Sequence, residues 1–260
     1  MKLTYLGQAG ILLEGKRSTI LIDPYLSNFV VEGGYGEAEQ FNRNFPPPIL
    51  PENLPRIDVV FVTHDHADHC DLPTLMTISA RYPECRFVGS VAVRNNLSKT
   101  SIHPGRLLSP MVKVVEGIPG LEFLAIPAAH YEVKLDQLSG EFLYLGYLIK
   151  HDGVVLYHAG DTILHSQLIA SILSAKWNID VACLPVNGRN KRRDELGIVG
   201  NLRVDEAISL AISIKSRIMV PLHNDLFTIN QDDPEMVRKE LSRVTELTTW
   251  QMLPGEVRKV

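Results

Sequence analysis

The feature that most constrains the fold of this chain is the apolar run 58–62, which is followed at once by a cluster of potential metal ligands. The run reads Asp-Val-Val-Phe-Val, a composition typical of a buried strand. Residues two apart in an extended segment point the same way, so His64 and His66 can chelate one cation. Asp68 and His69 then turn toward a second. Imidazole and carboxylate groups bind zinc, manganese or iron, so the sequence predicts a transition-metal site here.

Three further potential ligands each follow a predicted strand: they are His130 after 121–126, Asp161 after 153–157 and His223 after 217–221. Each is a weak signal alone, because a single histidine after a strand is more often structural. Ligands gathered at strand ends on one edge of a sheet are what a site in an α/β protein needs. Together with the first cluster, they predict one metal centre.

The rest of the chain predicts mixed α and β layers. Residues 3–22 alternate in hydrophobicity between glycines, which is typical of short strands joined by tight turns. Further strands are expected at 143–149 and 179–184, with helices at 203–214 and from Asp233 onward. One face of the helix at 203–214 carries the apolar residues Val204, Ala207, Ile208, Ala211 and Ile212.

Residues 27–57 have little periodicity and contain several glycines and the run Pro46-Pro47-Pro48. A long loop or flap is expected there, and loops of that length are usually functional or mobile. The 260 residues suffice for two small domains or one large one. Because no composition break or repeat divides the chain, we expect a single α/β domain over residues 1–260.

Composition excludes several classes of protein. The net charge of −4 gives no global positive field toward nucleic acid or membranes, and neither is expected as a partner. Three scattered cysteines are too few for a disulfide framework. No apolar run approaches the ~18 residues of a membrane span, and the N-terminus has no cleavage pattern. A cytoplasmic location follows by default, and a homo-oligomer is left open.

Taken together, these residues resemble the metallo-β-lactamase superfamily. The resemblance rests on the His-x-His-x-Asp-His segment at 64–69, the later His130, Asp161 after a strand and the final His223. It runs nearly the whole chain, from residues 6–10 onward. It implies an αββα sandwich, in which two sheets are faced by helices, and a metal-dependent hydrolase that uses a metal-bound hydroxide.

Within the superfamily the chain looks most similar to the L-ascorbate-6-phosphate lactonases, through residues 157–161, 179–182 and 220–225. That similarity implies that a lactone or ester of a small, anionic, sugar-phosphate-like molecule is opened. The ligand set it implies places two divalent metal ions, zinc or manganese, in one site. His64, His66 and His130 hold one ion, Asp68, His69 and His223 hold the other, and Asp161 bridges them. Asp68 is also the expected catalytic residue, passing a proton to the leaving alkoxide.

Four further residues are candidates for supporting roles. Asp23 and His158 are expected to orient metal-bound groups, although a turn carboxylate and a strand-end histidine explain them equally well. Residues 189–193 contain four basic side chains in five positions and can clamp an anionic group, so Asn187 and Arg189 are the predicted substrate contacts. The alternative is a solvated loop neutralised by the acidic residues that follow.

Two other functions use the same residues. The first is phosphodiester cleavage, as in a nuclease, which needs a basic surface for the polymer that the net charge of −4 disfavours. The second is a non-hydrolytic role as a metal-binding regulator or a di-iron redox enzyme. A flavin domain would favour redox chemistry, and this sequence contains none.

Overall fold

The computed structural model describes every residue except 113, 114 and 116. Its strands form two sheets. The seven-stranded sheet has the order β13-β1-β2-β3-β4-β5-β6, and the six-stranded sheet has the order β12-β11-β10-β9-β8-β7. The strands are β1 Lys2–Gly7, β2 Gly10–Glu14, β3 Thr19–Ile22, β4 Val59–Phe61, β5 Arg86–Val88, β6 Leu107–Leu108, β7 Glu122–Pro127, β8 Leu145–His151, β9 Val154–His158, β10 Val181–Pro185, β11 Ile218–Leu222, β12 Thr248–Thr249 and β13 Val257–Lys259.

Each sheet combines an antiparallel part with a parallel part. Strands β1 to β3 are antiparallel, as are β7 to β9, whereas β3 to β6 and β9 to β12 run parallel. The helices are α1 Phe29–Glu32, α2 Ala38–Phe41, α3 Leu72–Arg81, α4 Val91–Leu97, α5 Leu168–Leu173, α6 Lys191–Glu195, α7 Val204–Ser213 and α8 Pro234–Arg243. Short 3-10 turns lie at Pro51–Asn53, Pro104–Arg106 and Thr228–Asn230.

The layers follow from strands that are apolar on both faces. In β3, Ile20 and Ile22 pack between the two sheets, while Leu21 packs outward against α3 and α4. In β10, Val181 and Cys183 face the same inter-sheet core, while the alternate residues pack against α5, α7 and α8. Side chains alternate along a strand, so each apolar strand contributes to two cores. The predicted αββα sandwich is therefore confirmed.

The predicted elements match the observed ones to within two or three residues. The helix from Asp233 begins as expected, because the Asp233 carboxylate accepts hydrogen bonds from the backbone of Glu235 and Met236. The predicted apolar face of α7 is slightly misplaced: Leu210 is buried, whereas Ile212 is 40% exposed. Among the described residues, no helix is long and apolar enough to cross a membrane.

The 27–57 segment is mostly irregular, as predicted, but it is not devoid of structure. It contains α1, α2 and the turn at Pro51–Asn53. Val30 in α1 packs with Tyr25, Leu226 and Phe227 in a small cluster separate from the three larger cores. This cluster anchors the segment beside the strand ends that carry the predicted ligands.

Candidate metal centre

The predicted ligands come from the ends of strands in both sheets. The 64–69 segment follows β4, His130 follows β7, Asp161 follows β9 and His223 follows β11. Parallel strands place their carboxyl ends at one edge of a sheet, and the two sheets meet so that these ends face each other. The structure therefore brings together all seven residues that the sequence singled out as ligands.

Four donor atoms form the first group, which we call the carboxylate cage: Asp68 Oδ2, His69 Nε2, Asp161 Oδ1 and His223 Nε2. Asp161 Oδ1 lies 3.2 Å from both histidine nitrogens, and Asp68 Oδ2 lies 3.6 Å from His69 and 3.4 Å from His223. The two nitrogens are 3.3 Å apart. Four ligands at zinc-like bond lengths around one tetrahedral centre stand about 3.4 Å apart. The spacing of the cage therefore fits a transition-metal ion.

The second group, the histidine trio, consists of His64, His66 and His130, whose donor atoms lie within 4.8 Å of one another. His66 Nδ1 is 3.3 Å from His130 Nε2. His64 Nε2 is buried and has no hydrogen-bond partner among the described residues. A buried polar atom without a partner is costly, and a cation at the centre of the trio would satisfy it. Asp161 groups with His64 and His69, so it lies between the trio and the cage.

Protonation differs between the two groups. In the trio, burial and the neighbouring His69 and His66 hold the pKa of His64 well below its usual range. Burial also lowers the pKa of His130, to about 4. Both rings are therefore neutral near pH 7, which is the state that binds metal.

In the cage, burial alone would favour neutral groups, but the contacts among them outweigh it. Asp161 and Asp68 raise the pKa of His69 and His223 above the usual range. In return, the two histidines hold the pKa of both carboxyl groups below theirs. The carboxylates are thus ionised, and the attraction that raises the pKa of the two histidines would act equally on a metal cation held between them.

Asp23, at the end of β3, orients one histidine in each group. Its Oδ2 accepts a hydrogen bond of 2.8 Å from His69 Nδ1, which leaves His69 Nε2 directed into the cage. The same oxygen accepts the Thr63 hydroxyl at 2.6 Å, and Thr63 Oγ1 lies 3.0 Å from His64 Nδ1. Since the hydroxyl proton points at Asp23, its oxygen accepts from His64 Nδ1–H, and His64 Nε2 keeps a free lone pair. The contacts of Asp23 therefore agree with its predicted orienting role.

His158 is placed differently from what the sequence suggested. Its Nε2 donates to the backbone oxygen of Ala9 at 2.8 Å, and its Nδ1 accepts from the Gly160 backbone at 3.2 Å. Neither nitrogen hydrogen-bonds to a predicted ligand. His158 instead ties the turn after β1 to the loop that leads into Asp161.

Gln8 is a residue of the centre that the sequence analysis missed. Its Nε2 donates to Asp68 Oδ2 at 2.7 Å, and its backbone oxygen accepts from His223 at 2.7 Å. Its backbone N–H donates to the Asp225 carboxylate at 3.0 Å. These bonds hold Gln8 in a buried position between Gly7 and Gly10, with a positive φ of 55°. The one available signal was a polar residue in the turn directly after an apolar strand.

In the structure, the predicted substrate contacts Asn187 and Arg189 are hydrogen-bonded to other groups of the protein. The Arg189 guanidinium makes two hydrogen bonds of 2.7 Å to the Glu206 carboxylate and donates to the Asn201 backbone at 2.9 Å. The buried Asn187 amide bonds to the side chains of Asn201 and Asn230. Both residues therefore serve contacts within the protein, and neither lines the cavity that the metal centre faces.

The rest of the basic segment lies largely in one short helix. Residues 191–195 form α6, and the Asn190 side chain caps it by accepting from the Arg193 backbone. Arg193 is buried and pairs with Asp232 at 2.9 Å. Arg189 and Arg193 are thus paired with carboxylates of the protein, whereas Lys191 and Arg192 are exposed.

The metal centre opens onto a cavity of about 530 Å³. Six residues of the centre and its segment line it: Asp65, His66, Asp68, His130, Asp161 and His223. A small molecule in this cavity can therefore reach both the trio and the cage.

Comparisons with known proteins agree with this geometry. A family model described as "Beta-lactamase superfamily domain" matches residues 18–224. A UPF0173 metal-dependent hydrolase of Methanoculleus marisnigri is 30% identical, with 98% of this chain and 95% of the relative covered. Isothiocyanate hydrolase from Delia radicum gut bacteria has a similar fold, with a TM-score of 0.76, 18% identity and coverage of 100% and 99%. The Igni18 metallo hydrolase of Ignicoccus hospitalis has a TM-score of 0.69, 22% identity and coverage of 99% and 97%.

Proposed function

This chain belongs to the β-lactamase superfamily and, within it, to the UPF0173 family of metal-dependent hydrolases, and we propose that it hydrolyses a carboxylic ester or lactone. The observation that carries the proposal is the pair of donor groups that share one cavity, with Asp161 between them. Seven donors divided in this way suit two divalent ions, zinc or manganese, with Asp161 as the bridging ligand.

Divalent ions held by the trio and the cage would lower the pKa of water toward ~7 and polarise a carbonyl oxygen. The protein's own contribution is geometric. Asp23 and Thr63 fix the histidine tautomers, so that Nε2 of His64 and of His69 faces the site. In the proposed reaction, Asp68 takes a proton from the attacking water and returns it to the leaving alkoxide. Its position as a cage member whose carboxylate also lines the cavity supports this role.

Phosphodiester cleavage by the same donors is disfavoured by the lining of the cavity. Among the residues that the structure describes there, none is lysine or arginine. A polymeric phosphodiester normally depends on basic side chains to position its backbone. An ester or lactone places no such requirement on the protein.

The first test combines metal analysis with a hydrolysis panel of lactones, aryl esters, phosphodiesters, β-lactams and an alkyl isothiocyanate. We expect about two transition-metal ions per chain and hydrolysis of a lactone or ester. The variant His66→Ala should lower both metal content and activity, because it removes a trio donor. The matched control is His103→Ala, which removes an exposed histidine outside both donor groups, whose ring accepts a hydrogen bond from the Gly105 backbone.

Two results would overturn the proposal. One is full activity of metal-free protein, which would exclude the metal centre from the reaction. The other is hydrolysis confined to phosphodiesters, which would assign the same donors to a different reaction.

A further inference from the structure

We propose that the part of the substrate away from the reacting carbonyl is an uncharged, apolar chain or ring. The inference rests on the proposed function for the reacting group and on the cavity for the remainder. Six apolar or aromatic residues line the cavity, and we call them the apolar wall: Val30, Tyr35, Phe41, Ile198, Val199 and Phe227.

The wall is fixed by aromatic packing. The Phe41 and Phe227 rings meet edge to face with centroids 5.5 Å apart, and Phe227 meets Tyr25 in the same way at 5.7 Å. Such pairs are favourable beyond the area they bury. These residues are therefore held in place before a substrate arrives.

The wall is also joined directly to the metal centre. Ala67, which stands between His66 and Asp68 in the chain, packs in the same apolar cluster as Val30 and Phe227 and lines the cavity. A substrate whose carbonyl lies at the metal centre therefore extends over this wall without crossing a polar gap.

Charge in and around the cavity disfavours an anionic substituent. Apart from the metal centre, the charged side chain in the described lining is Asp65, and the other polar groups are the amides of Asn96 and Asn230. No arginine belongs to the described lining: Arg193 pairs with Asp232, Arg43 Nη1 donates to backbone carbonyls of Tyr25 and Ser27, and the exposed Arg192 lines a separate pocket. A carboxylate or phosphate on the wall would lose water without gaining a cation.

Tyr35 shows that the wall has apolar area left to cover. Its side chain is 63% exposed although it belongs to the cavity lining, and its ring rests on Phe29 at 5.3 Å between centroids. A substrate chain that covers this ring removes apolar surface from water on both partners, which favours binding. Longer chains should therefore bind better until the wall is filled.

The experiment uses the metal-loaded protein and γ-lactones that carry a 5-alkyl chain of increasing length. We expect kcat/KM to rise about fourfold for each added methylene over the first few positions. A matched lactone whose chain ends in a carboxylate should be a poorer substrate than its neutral counterpart. Faster turnover of the carboxylate, or no dependence on chain length, would overturn the inference while leaving lactone hydrolysis itself established.

A binding measurement separates this inference from the proposed function. The corresponding 5-alkyl γ-lactams resist hydrolysis, and calorimetry should show affinity that rises with chain length and a negative heat-capacity change, the marker of apolar burial. This result is expected even if no lactone is hydrolysed, in which case only the proposed function fails. If the affinity for the lactams does not depend on the length of their alkyl chain, the proposed role of the apolar wall is wrong, even if lactones are hydrolysed.

Two variants locate the effect. Tyr35→Ala removes an exposed ring and Phe41→Ala a half-buried one, and each should lower the gain in affinity per methylene. The control Leu253→Ala removes an apolar side chain that is 73% exposed and lies outside the cavity lining, so the gain should be retained. Because Tyr35 is so exposed, its variant remains informative if Phe41→Ala folds poorly. If the gain in affinity per methylene is unchanged in both Tyr35→Ala and Phe41→Ala, the substrate chain does not lie on the apolar wall.

Discussion

The carboxylate cage and the apolar wall face the same cavity but are built in different ways. In the cage, donor atoms stand 3.2–3.6 Å apart, and residues outside the cage, Asp23 and Gln8, hold His69 and Asp68. The aromatic side chains of the wall are held by packing, and part of the wall lies on the short helices of the 27–57 segment. The difference separates reaction from selectivity: changes in the cage should affect all substrates alike, whereas changes in the wall should depend on the substrate's side chain.

The largest expected effect comes from removing the residue shared by the two donor groups. Asp161→Ala should lower kcat/KM by more than about a hundredfold on every substrate. This loss should exceed the loss caused by substituting a residue that only hydrogen-bonds to a ligand. His130→Ala removes one donor of the trio alone and should cost less. The measurement is kcat/KM for both variants on a short-chain and a long-chain lactone.

This comparison can fail in two ways. If His130→Ala is the more damaging variant, Asp161 does not bridge the two groups. If the loss of kcat/KM in Asp161→Ala depends strongly on the length of the substrate's alkyl chain, the cage and the wall do not act independently.

A smaller effect is expected from Asp23, which holds the cage without belonging to it. Asp23→Asn replaces the carboxylate that accepts from both His69 and Thr63, so metal affinity should fall about ten- to hundredfold. Competition with a chromophoric chelator measures that affinity. Asp152→Asn is the control, because Asp152 accepts from the Lys16 backbone at a hairpin remote from the centre. Equal affinities in wild type and Asp23→Asn would limit Asp23 to holding Thr63.

Gln8 tests whether the donors of the cage must be held by hydrogen bonds. Gln8→Met keeps the side-chain length but removes the donor to Asp68, a bond to a charged group, so kcat should fall about tenfold. Because Gln8 does not line the cavity, KM for a neutral lactone should stay within about twofold. A rise in KM that depends on chain length, with kcat unchanged, would place Gln8 with the wall instead.

The sequence predicted the cage far better than its supports or the wall. Ligands such as His64 and His223 directly follow apolar strands, and strand ends converge in a layered α/β fold, so local patterns sufficed. The contact between Gln8 and Asp68 joins residues 60 positions apart and depends on how β1 approaches the 64–69 segment. Tyr35 and Phe41 lie where no periodicity assigns a face, so the wall emerges only from tertiary packing.

The basic segment at 189–193 shows what a strong local pattern leaves out. Four positive charges in five residues suggested an anion clamp, but two of the arginines pair with carboxylates that are distant in sequence. Glu206, which follows by 17 positions, binds Arg189, and Asp232, which follows by 39, binds Arg193. Charge runs in a sequence do not reveal their partners when those partners lie on other elements of the fold.

The smallest kinetic effect is expected from Arg189, which belongs to neither the cage nor the wall. Arg189→Ala breaks a partly buried, two-bonded ion pair with Glu206 and a bond to the Asn201 backbone. The free energy of unfolding should fall by about 1–2 kcal/mol, lowering Tm by about 2–8 °C. Lys191→Ala is the matched control, because its side chain is 90% exposed and its pairing with Glu195 at 3.6 Å contributes little.

In kinetics, Arg189→Ala should leave kcat/KM within about twofold for neutral and carboxylate-bearing lactones alike, since Arg189 does not line the cavity. An anion clamp would behave differently: its loss would cost about ten- to hundredfold on the carboxylate-bearing lactone and much less on the neutral one. Such a selective loss, without a change in Tm, would mean that Arg189 leaves Glu206 when an anion binds. The cavity would then have a third, charged region, and the division into cage and wall would be incomplete.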